Sequence, residues 1–301
     1  MHPTPHERSG LTLEAPPKIA CKNCGTPFAG RYCNHCGQRA DTHRITWHYI
    51  WHEIPHSVWH VDKGILFTLK ELFIRPGYTI REFLDGKRVN HYRPLALVLV
   101  LGTVLTFLVH SLQVDMMEET QKAMREVTGL GEGGSQRVQA FQAEVNAFAE
   151  KYRNLIQIFF LPVTSLFTWW FFRKKGLNYP EHLVTNTFLM NFSLVVSIGT
   201  ILLFKAVGGS TAAYSLVQSL GMLVALAYTM WAFVQLFRGR VKPWSAALRA
   251  AGASLASMVA VIVLAMLVGI GYALFVLVPE AKKQKEVQRT TPAVHAPLPK
   301  K

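Results

Sequence analysis

The sequence predicts an all-α integral membrane protein with about five transmembrane helices, headed by a small cysteine-built module and an amphipathic juxtamembrane region. Three observations predict it. Apolar runs of about 20 residues recur along the 301-residue chain, each long enough to cross a hydrocarbon layer of about 30 Å as a helix. Hydrophobic residues make up 50% of the chain and the mean hydropathy is +0.20. All four cysteines fall within 16 residues, Cys21-Lys22-Asn23-Cys24 and then Cys33-Asn34-His35-Cys36.

In chain order, residues 1–20 carry Pro3, Pro5, Pro16 and Pro17 and few large apolar side chains, the composition of a disordered tail. The start MHPTPHERSG has no apolar core, so no cleaved signal peptide is expected. Residues 21–38 form a zinc ribbon. Two CxxC pairs suit one tetrahedral Zn²⁺ held by Cys21, Cys24, Cys33 and Cys36, because the two-residue spacer lets both thiolates of one turn reach one metal. Gly25 and Gly37 close the two turns; glycine accepts the tight backbone there. So small a module cannot bury a sufficient core, so the metal is expected to supply its folding energy. Four protein ligands leave no open position, which marks a structural site. His35 and His43 are nearby alternatives as ligands, a disulfide framework is a second use of four cysteines, and iron in a rubredoxin-like role is a third.

Residues 39–93 read as an amphipathic and basic juxtamembrane region. Trp47, Trp51 and Trp59 stand among His48, His52, His56 and His60. Four-residue spacing aligns the histidines on one helix side, and Pro55 interrupts that helix. Tryptophan beside polar residues favours the water–bilayer interface. The histidine series is also a metal or haem candidate, and a pH-responsive surface, although interfacial anchoring is the simpler reading. Arg75, Arg81, Lys87, Arg88 and Arg93 then precede the first span. They suit either an ordinary basic anchor or a site for anionic lipid headgroups.

The transmembrane domain is expected over 94–278, with spans at about 94–112, 154–172, 183–204, 214–237 and 250–278 and a soluble loop at 113–153. That loop has seven acids against five bases, a net charge of −2, and the sequence GLGEGG places a hinge between helical pieces 115–127 and 135–153. Arg173, Lys174 and Lys175 follow the second span, and Arg238, Arg240, Lys242 and Arg249 part the fourth from the fifth. Five spans put these groups on the ribbon's side, so positive-inside makes that side cytoplasmic. The basic tail 279–301, expected to be disordered, then falls on the far side, against the rule. Within the third span Asn186, Ser193 and Ser197 share one helix face, a pattern for helix–helix hydrogen bonds or a polar pathway. Glu181 and His182 are expected at that span's cytoplasmic entrance, snorkelling to water. Small residues four apart in the fifth span, such as Gly269 and Ala273, invite a close helix and make a homo-oligomer a candidate.

The run CKNCG…GRYCNHCGQ, then RIT, then GILFTLKELFIRPGYTIREFLDGKRVNHYRP, resembles a family of bacterial membrane proteins of unknown function. Its members pair an N-terminal zinc ribbon with a Pro-Gly…Gly-Lys-Arg…Tyr-x-x-Pro segment and several spans. The match covers about residues 21–110, and the closing motif here is the shorter Tyr92-Arg93-Pro94. The resemblance implies Cys21, Cys24, Cys33 and Cys36 as zinc ligands. It implies a family-like role for Pro76, Gly77, Gly86, Lys87, Arg88, Tyr92 and Pro94. It implies architecture and no activity.

No GxxxxGK[ST], HExxH, GxSxG or strand-linked GxGxxG occurs, so no hydrolase, kinase or nucleotide-driven transporter is supported. The net charge of +14 collects beside the spans, and Lys22, Arg31 and Arg39 are too few for a nucleic-acid footprint. The expected function is therefore non-enzymatic: a multi-pass bacterial inner-membrane protein, N-terminus cytoplasmic, that uses its zinc ribbon in interaction, assembly or regulation. Its expected partners are the bilayer, anionic lipids and a cytoplasmic protein. A small-solute transporter or channel, and a redox or metal-handling protein, are the alternatives.

Overall fold

The computed structural model describes residues 18–50, 64–114, 119–120, 122, 145, 151–208 and 210–272. Residues 1–17, His52, His56 and His60, most of loop 113–153, the end of the fifth span and the 279–301 tail lie outside the described residues.

A two-stranded antiparallel sheet comes first: β1 (Ile19–Ala20) pairs with β2 (Pro27–Phe28), Ile19 opposite Phe28. The elements that follow are helices: α1 (Gly64–Ile74), α2 (Pro76–Leu84), α3 (Pro94–Ser111), α4 (Arg153–Phe171), α5 (Tyr179–Ala206), α6 (Thr211–Leu236) and α7 (Pro243–Tyr272). Proline starts many of them: Pro76, Pro94, Pro180 and Pro243 all lie in a first turn, where the missing amide costs nothing and the fixed φ suits the helix.

Four helices are long and apolar enough to cross a membrane: α3, α5, α6 and Pro243–Leu264 of α7. The 19-residue α4 is about 28 Å long at 1.5 Å per residue and packs along both α5 and α7. The short connections at 172–178, 207–210 and 237–242 reverse the chain between successive helices, so each of α5, α6 and α7 runs opposite to the one before it. The chain therefore runs through the bundle about five times.

Two buried clusters hold it together. At the ribbon's end, Phe83 and Ile80 of α2 meet Phe188 of α5, Phe233 of α6 and Ala246 and Ala250 of α7. Along the bundle, Leu97, Leu101 and Leu105 of α3 meet Leu194, Ile201 and Phe204 of α5. The Asn191 Nδ2 at the centre of α5 donates to the Pro94 carbonyl at 2.9 Å, pinning the start of α3.

Most of the Trp/His segment expected to lie on the membrane, residues 51–63, is outside the described residues. The rest of the juxtamembrane region, α1 and α2, folds against the bundle, and Pro76, Gly77, Thr79, Ile80, Phe83 and Leu84 are buried. Arg75 is not a free anchor: it pairs with Glu71 and, at 3.3 Å, with Glu82. Glu82 also meets Lys87 at 3.6 Å. Arg81 turns onto α6, where its guanidinium donates to the Leu236 carbonyl at 3.0 Å and the Arg238 carbonyl at 3.1 Å. It thereby caps carbonyls that a helix C-terminus leaves unpaired.

The third expected span begins four residues early, and this moves Glu181 and His182 into the protein. Asn178 accepts from the Glu181 amide at 2.8 Å and donates its own amide to Glu181 Oε2 at 2.7 Å, a capping box. Arg44, just after the ribbon, donates to both Glu181 carboxylate oxygens at 2.6 and 2.7 Å. Glu181 is thus buried rather than snorkelling. The His182 ring, fully buried, is boxed by Phe172, Phe233 and Phe237 at 6.3–6.4 Å between centroids. Removing the carboxylate in Glu181→Ala forfeits a cap worth about 1 kcal/mol and a bidentate pair. The Arg44 side chain is 58% exposed and can rehydrate, which limits the loss to about 2 kcal/mol. Thermal unfolding in detergent, followed by tryptophan fluorescence, checks this.

Candidate metal centre and the segment that holds it

The four cysteine sulfurs all lie within 4.8 Å of one another. Cys21 Sγ is 3.5 Å from Cys36 Sγ and Cys24 Sγ is 3.6 Å from Cys33 Sγ. All four cysteines are free, so the disulfide framework is not formed; a bonded pair would sit at about 2.05 Å. A tetrahedral Zn²⁺ with Zn–S of about 2.3 Å implies sulfur separations of about 3.8 Å, and these residues fit that geometry. His35 and His43 are not part of the group.

Local backbone builds the site twice over. In each knuckle the glycine amide donates to the first cysteine carbonyl, Gly25 to Cys21 at 2.8 Å and Gly37 to Cys33 at 2.9 Å. The first cysteine amide then closes the turn, Cys21 onto the Thr26 carbonyl and Cys33 onto the Gln38 carbonyl, at 3.0 and 2.8 Å. Gly25 and Gly37 have φ of +76° and +75°, a left-handed backbone that glycine adopts without strain. Cys24 Sγ lies 3.3 Å from the Thr26 hydroxyl, and its bonds to Thr26 hold that thiol below its ordinary range, while crowding by the Cys21 and Cys24 sulfurs helps hold Cys36 above it. Phe28 covers Cys21 and Cys33 from the apolar side.

The ribbon does not hang free. Lys22, inside the first knuckle, donates to the Thr42 carbonyl at 2.6 Å. Gln38, directly after the second, accepts from the Arg88 and Val89 amides at 3.2 and 3.3 Å. Arg88 reaches back to the His43 carbonyl at 3.0 Å and lies over the Tyr49 ring at 4.4 Å. Between them Gly86, at φ +102°, brings its backbone so close that a Cβ would stand 2.9 Å from Thr42 Oγ1. The 85–89 turn is thus a dock for the ribbon: Gln38 bonds it directly, and Lys22 ties the first knuckle to Thr42, which lies against Gly86.

The family-like residues take roles in that dock and its footing. Pro76 and Pro94 open helices. Gly77 touches α6, with its amide 3.0 Å from Gln235 Oε1. The Tyr92 amide donates to Thr68 Oγ1 at 2.6 Å, tying the end of the turn to α1. Beside it His91 is buried, its Nε2 4.0 Å from Glu82. Burial holds this imidazole below its ordinary pKa, although the Glu82 charge pulls the other way. The folded chain therefore keeps His91 neutral where the unfolded chain, titrating at about 6.5, takes a proton. Stability from this group is complete above that pH and declines as pH falls below it. Thermal unfolding at pH 7 and pH 5 should show a loss on acidification, and His91→Gln should reduce it.

Of the residues expected to matter, His48 is exposed at the start of a helical turn, and the other three histidines lie outside the described residues. Asn186 and Asn191 face different partners: Asn186 Nδ2 donates to Thr168 Oγ1 of α4 at 2.8 Å, and Asn191 turns to α3. Lys22, Gln38, Thr42 and Arg44 carry no sequence signature as dock residues.

No curated protein and no solved structure matches this chain. Residues 62–106, which hold α1, α2, the docking turn and much of α3, match a family model described as a protein of unknown function (DUF3667).

Proposed function

We propose that this chain is a non-enzymatic membrane protein in which a zinc-loaded cytoplasmic ribbon, seated on the membrane bundle, presents a surface to a protein partner for assembly or regulation. The observation that carries it is the ribbon's placement. A closed four-thiolate set leaves no position for a substrate, and the second knuckle is tied to the 85–89 turn through Gln38. Zinc is the assigned metal because soft thiolates in a tetrahedral set select it. Cys21, Cys24, Cys33 and Cys36 would hold the ion, which would cross-link the two knuckles. Support for the cytoplasmic side comes from Arg173, Lys174, Lys175, Arg238, Arg240 and Lys242 at the ribbon's end of the helices, as the positive-inside rule expects.

The ribbon's outer face is where a partner would bind. Tyr32 is 59% exposed, with Arg31, Asn34 and His35 exposed around it. A photo-crosslinking residue at position 32, in the full chain and in cells, should give a discrete protein adduct that disappears in Cys33→Ser/Cys36→Ser. Adducts to lipid alone, or a protein adduct unchanged by the cysteine variant, would sink the reading.

Small-solute transport is the second reading, and a cavity between α4, α5, α6 and α7 that carries polar side chains such as Asn186 and Ser193 favours it. Proteoliposome flux lost in Asn186→Leu would support it. A panel of neutral and charged solutes with no flux above empty vesicles would end it.

A further inference from the structure

The cavity between the four helices has a volume of about 300 Å³, at the lower edge of ordinary small-molecule sites. Its apolar lining is Phe160, Leu161, Leu189, Met190 and Leu194. The polar lining is uneven in its bonding. Thr164 donates its hydroxyl proton to the Phe160 carbonyl at 2.9 Å, and Ser193 to Leu189 at 3.2 Å. Thr229 donates to Ala225 at 2.8 Å and Ser254 to Ala250 at 2.9 Å. Each hydroxyl has thus committed its only proton to its own helix and keeps only acceptor capacity for the space it lines. Asn186, with 7% of its surface exposed, directs its Nδ2 to Ser165 Oγ, Thr168 Oγ1 and the His182 carbonyl. Among the described residues nothing donates to its Oδ1. Ser197, also in the lining, makes no side-chain hydrogen bond among the described residues and keeps its proton, so the polar groups offer several acceptors against one free hydroxyl donor.

Two further observations narrow the occupant. Among the described residues no charged side chain lines the cavity, so an ionic ligand would lose its hydration with no counter-charge. Ser193, on the rim, is exposed and sits at the middle of the 28-residue α5. The cavity therefore opens at the depth of the hydrocarbon layer, where water is absent and lipid-soluble molecules are present.

We propose that this cavity binds a neutral, lipid-soluble molecule by a hydrogen-bond-donating head group, a long-chain or isoprenoid alcohol in class, with Asn186 Oδ1 and the flanking hydroxyls accepting from the head and the leucine and phenylalanine side chains holding the chain. This deepens the transport reading by naming a ligand class. It concerns binding alone, so a chain that binds the alcohol but moves no solute ends the transport reading and leaves this one standing.

The test uses the full chain in phosphatidylcholine nanodiscs and three probes that share one hydrocarbon skeleton: farnesol, farnesene and farnesoic acid. Farnesol should give saturable binding and raise the unfolding temperature, while farnesene and ionised farnesoic acid bind at least tenfold more weakly. Asn186→Leu should erase the preference for the alcohol. Because Asn186 also ties α4 to α5, the paired variant Ser197→Ala/Thr229→Val, with metal content and elution volume unchanged, must weaken farnesol as well. Equal binding of farnesol and farnesene would overturn the proposal and leave plain hydrophobic filling. Equal binding of the acid would overturn it too. So would a disulfide between two copies through Ser193→Cys with no effect of farnesol, because a second copy would then cover the opening.

Discussion

Replacing Cys33 and Cys36 with serine should reduce bound metal from about one ion per chain to none and unfold the ribbon while the helices persist. The size of the effect follows from how little else holds the module. Its strands are two residues each, and its apolar centre is Phe28 packed on the cysteines themselves. Structural zinc contributes about 10–16 kcal/mol of apparent binding energy in comparable peptides, far more than so small a core can replace. The bundle's two buried clusters draw on no ribbon residue before Ile45, and the Arg44–Glu181 clamp lies beyond the knuckles, so helix content should hold. Limited trypsin digestion reads both halves of the prediction. Exposed Arg31 and Arg39 should become fast cleavage sites in the variant, and the bundle should resist as before. A chelator acting on the wild-type chain should reproduce the pattern.

A single methyl group at Gly77 should cost about 2–4 kcal/mol. A Cβ there would overlap the Ala232 carbonyl, Gln235 Cβ and the Leu236 amide nitrogen of α6. Two of these are backbone atoms inside a helix, with no rotamer to escape into, so α2 and α6 must separate. Overpacking of this kind costs about 1–3 kcal/mol by itself. Separation also strains the Gly77–Gln235 bond and the Arg81 contacts to the end of α6, each worth about 1 kcal/mol or more. Gly199, in the C-terminal third of α5, is the internal control: a Cβ there meets nothing within 4 Å, so Gly199→Ala should cost nothing. Thermal unfolding of both variants in one detergent compares them. Similar losses for the two would mean that α2 does not pack on α6 as described.

Features that are local in the chain are legible from the residues alone. The knuckles are closed by residues at most five apart, so four cysteines at two spacings announce them. The spans follow from runs of apolar residues, and the shared face of Asn186, Ser193 and Ser197 follows from helical periodicity; it lines the cavity. One local signal is masked by the charges around it. Asn178 followed three residues later by Glu181 is a capping box, and with Pro180 it marks the true start of α5, although Glu181 and His182 look like a polar entrance. The start of α7 at Pro243 is hidden in the same way. Arg249 and its neighbours read as loop, whereas Arg249 donates to the Phe171 carbonyl at 2.6 Å. Contacts between distant residues are not legible at all. Arg44 and Glu181 are 137 positions apart, and Gln38 and Arg88 are 50 apart. Nothing in either neighbourhood specifies the other, and a basic residue before a span looks like an anchor until its partner is known.

The dock also sets the terms on which the ribbon can be shared. Gln38 and the 85–89 turn belong to one chain, and Arg44, shortly after Gln38, is itself clamped to Glu181. They therefore meet at an effective concentration on the order of millimolar or above. A soluble partner that needs the buried Gln38 must displace that internal rival first, and its apparent affinity falls in proportion to the occupancy of the dock. A partner that grips Tyr32 meets no such competition. The two faces of one small module are therefore unequal as targets: one is continuously available, and the other is exposed only when the ribbon lifts from the bundle.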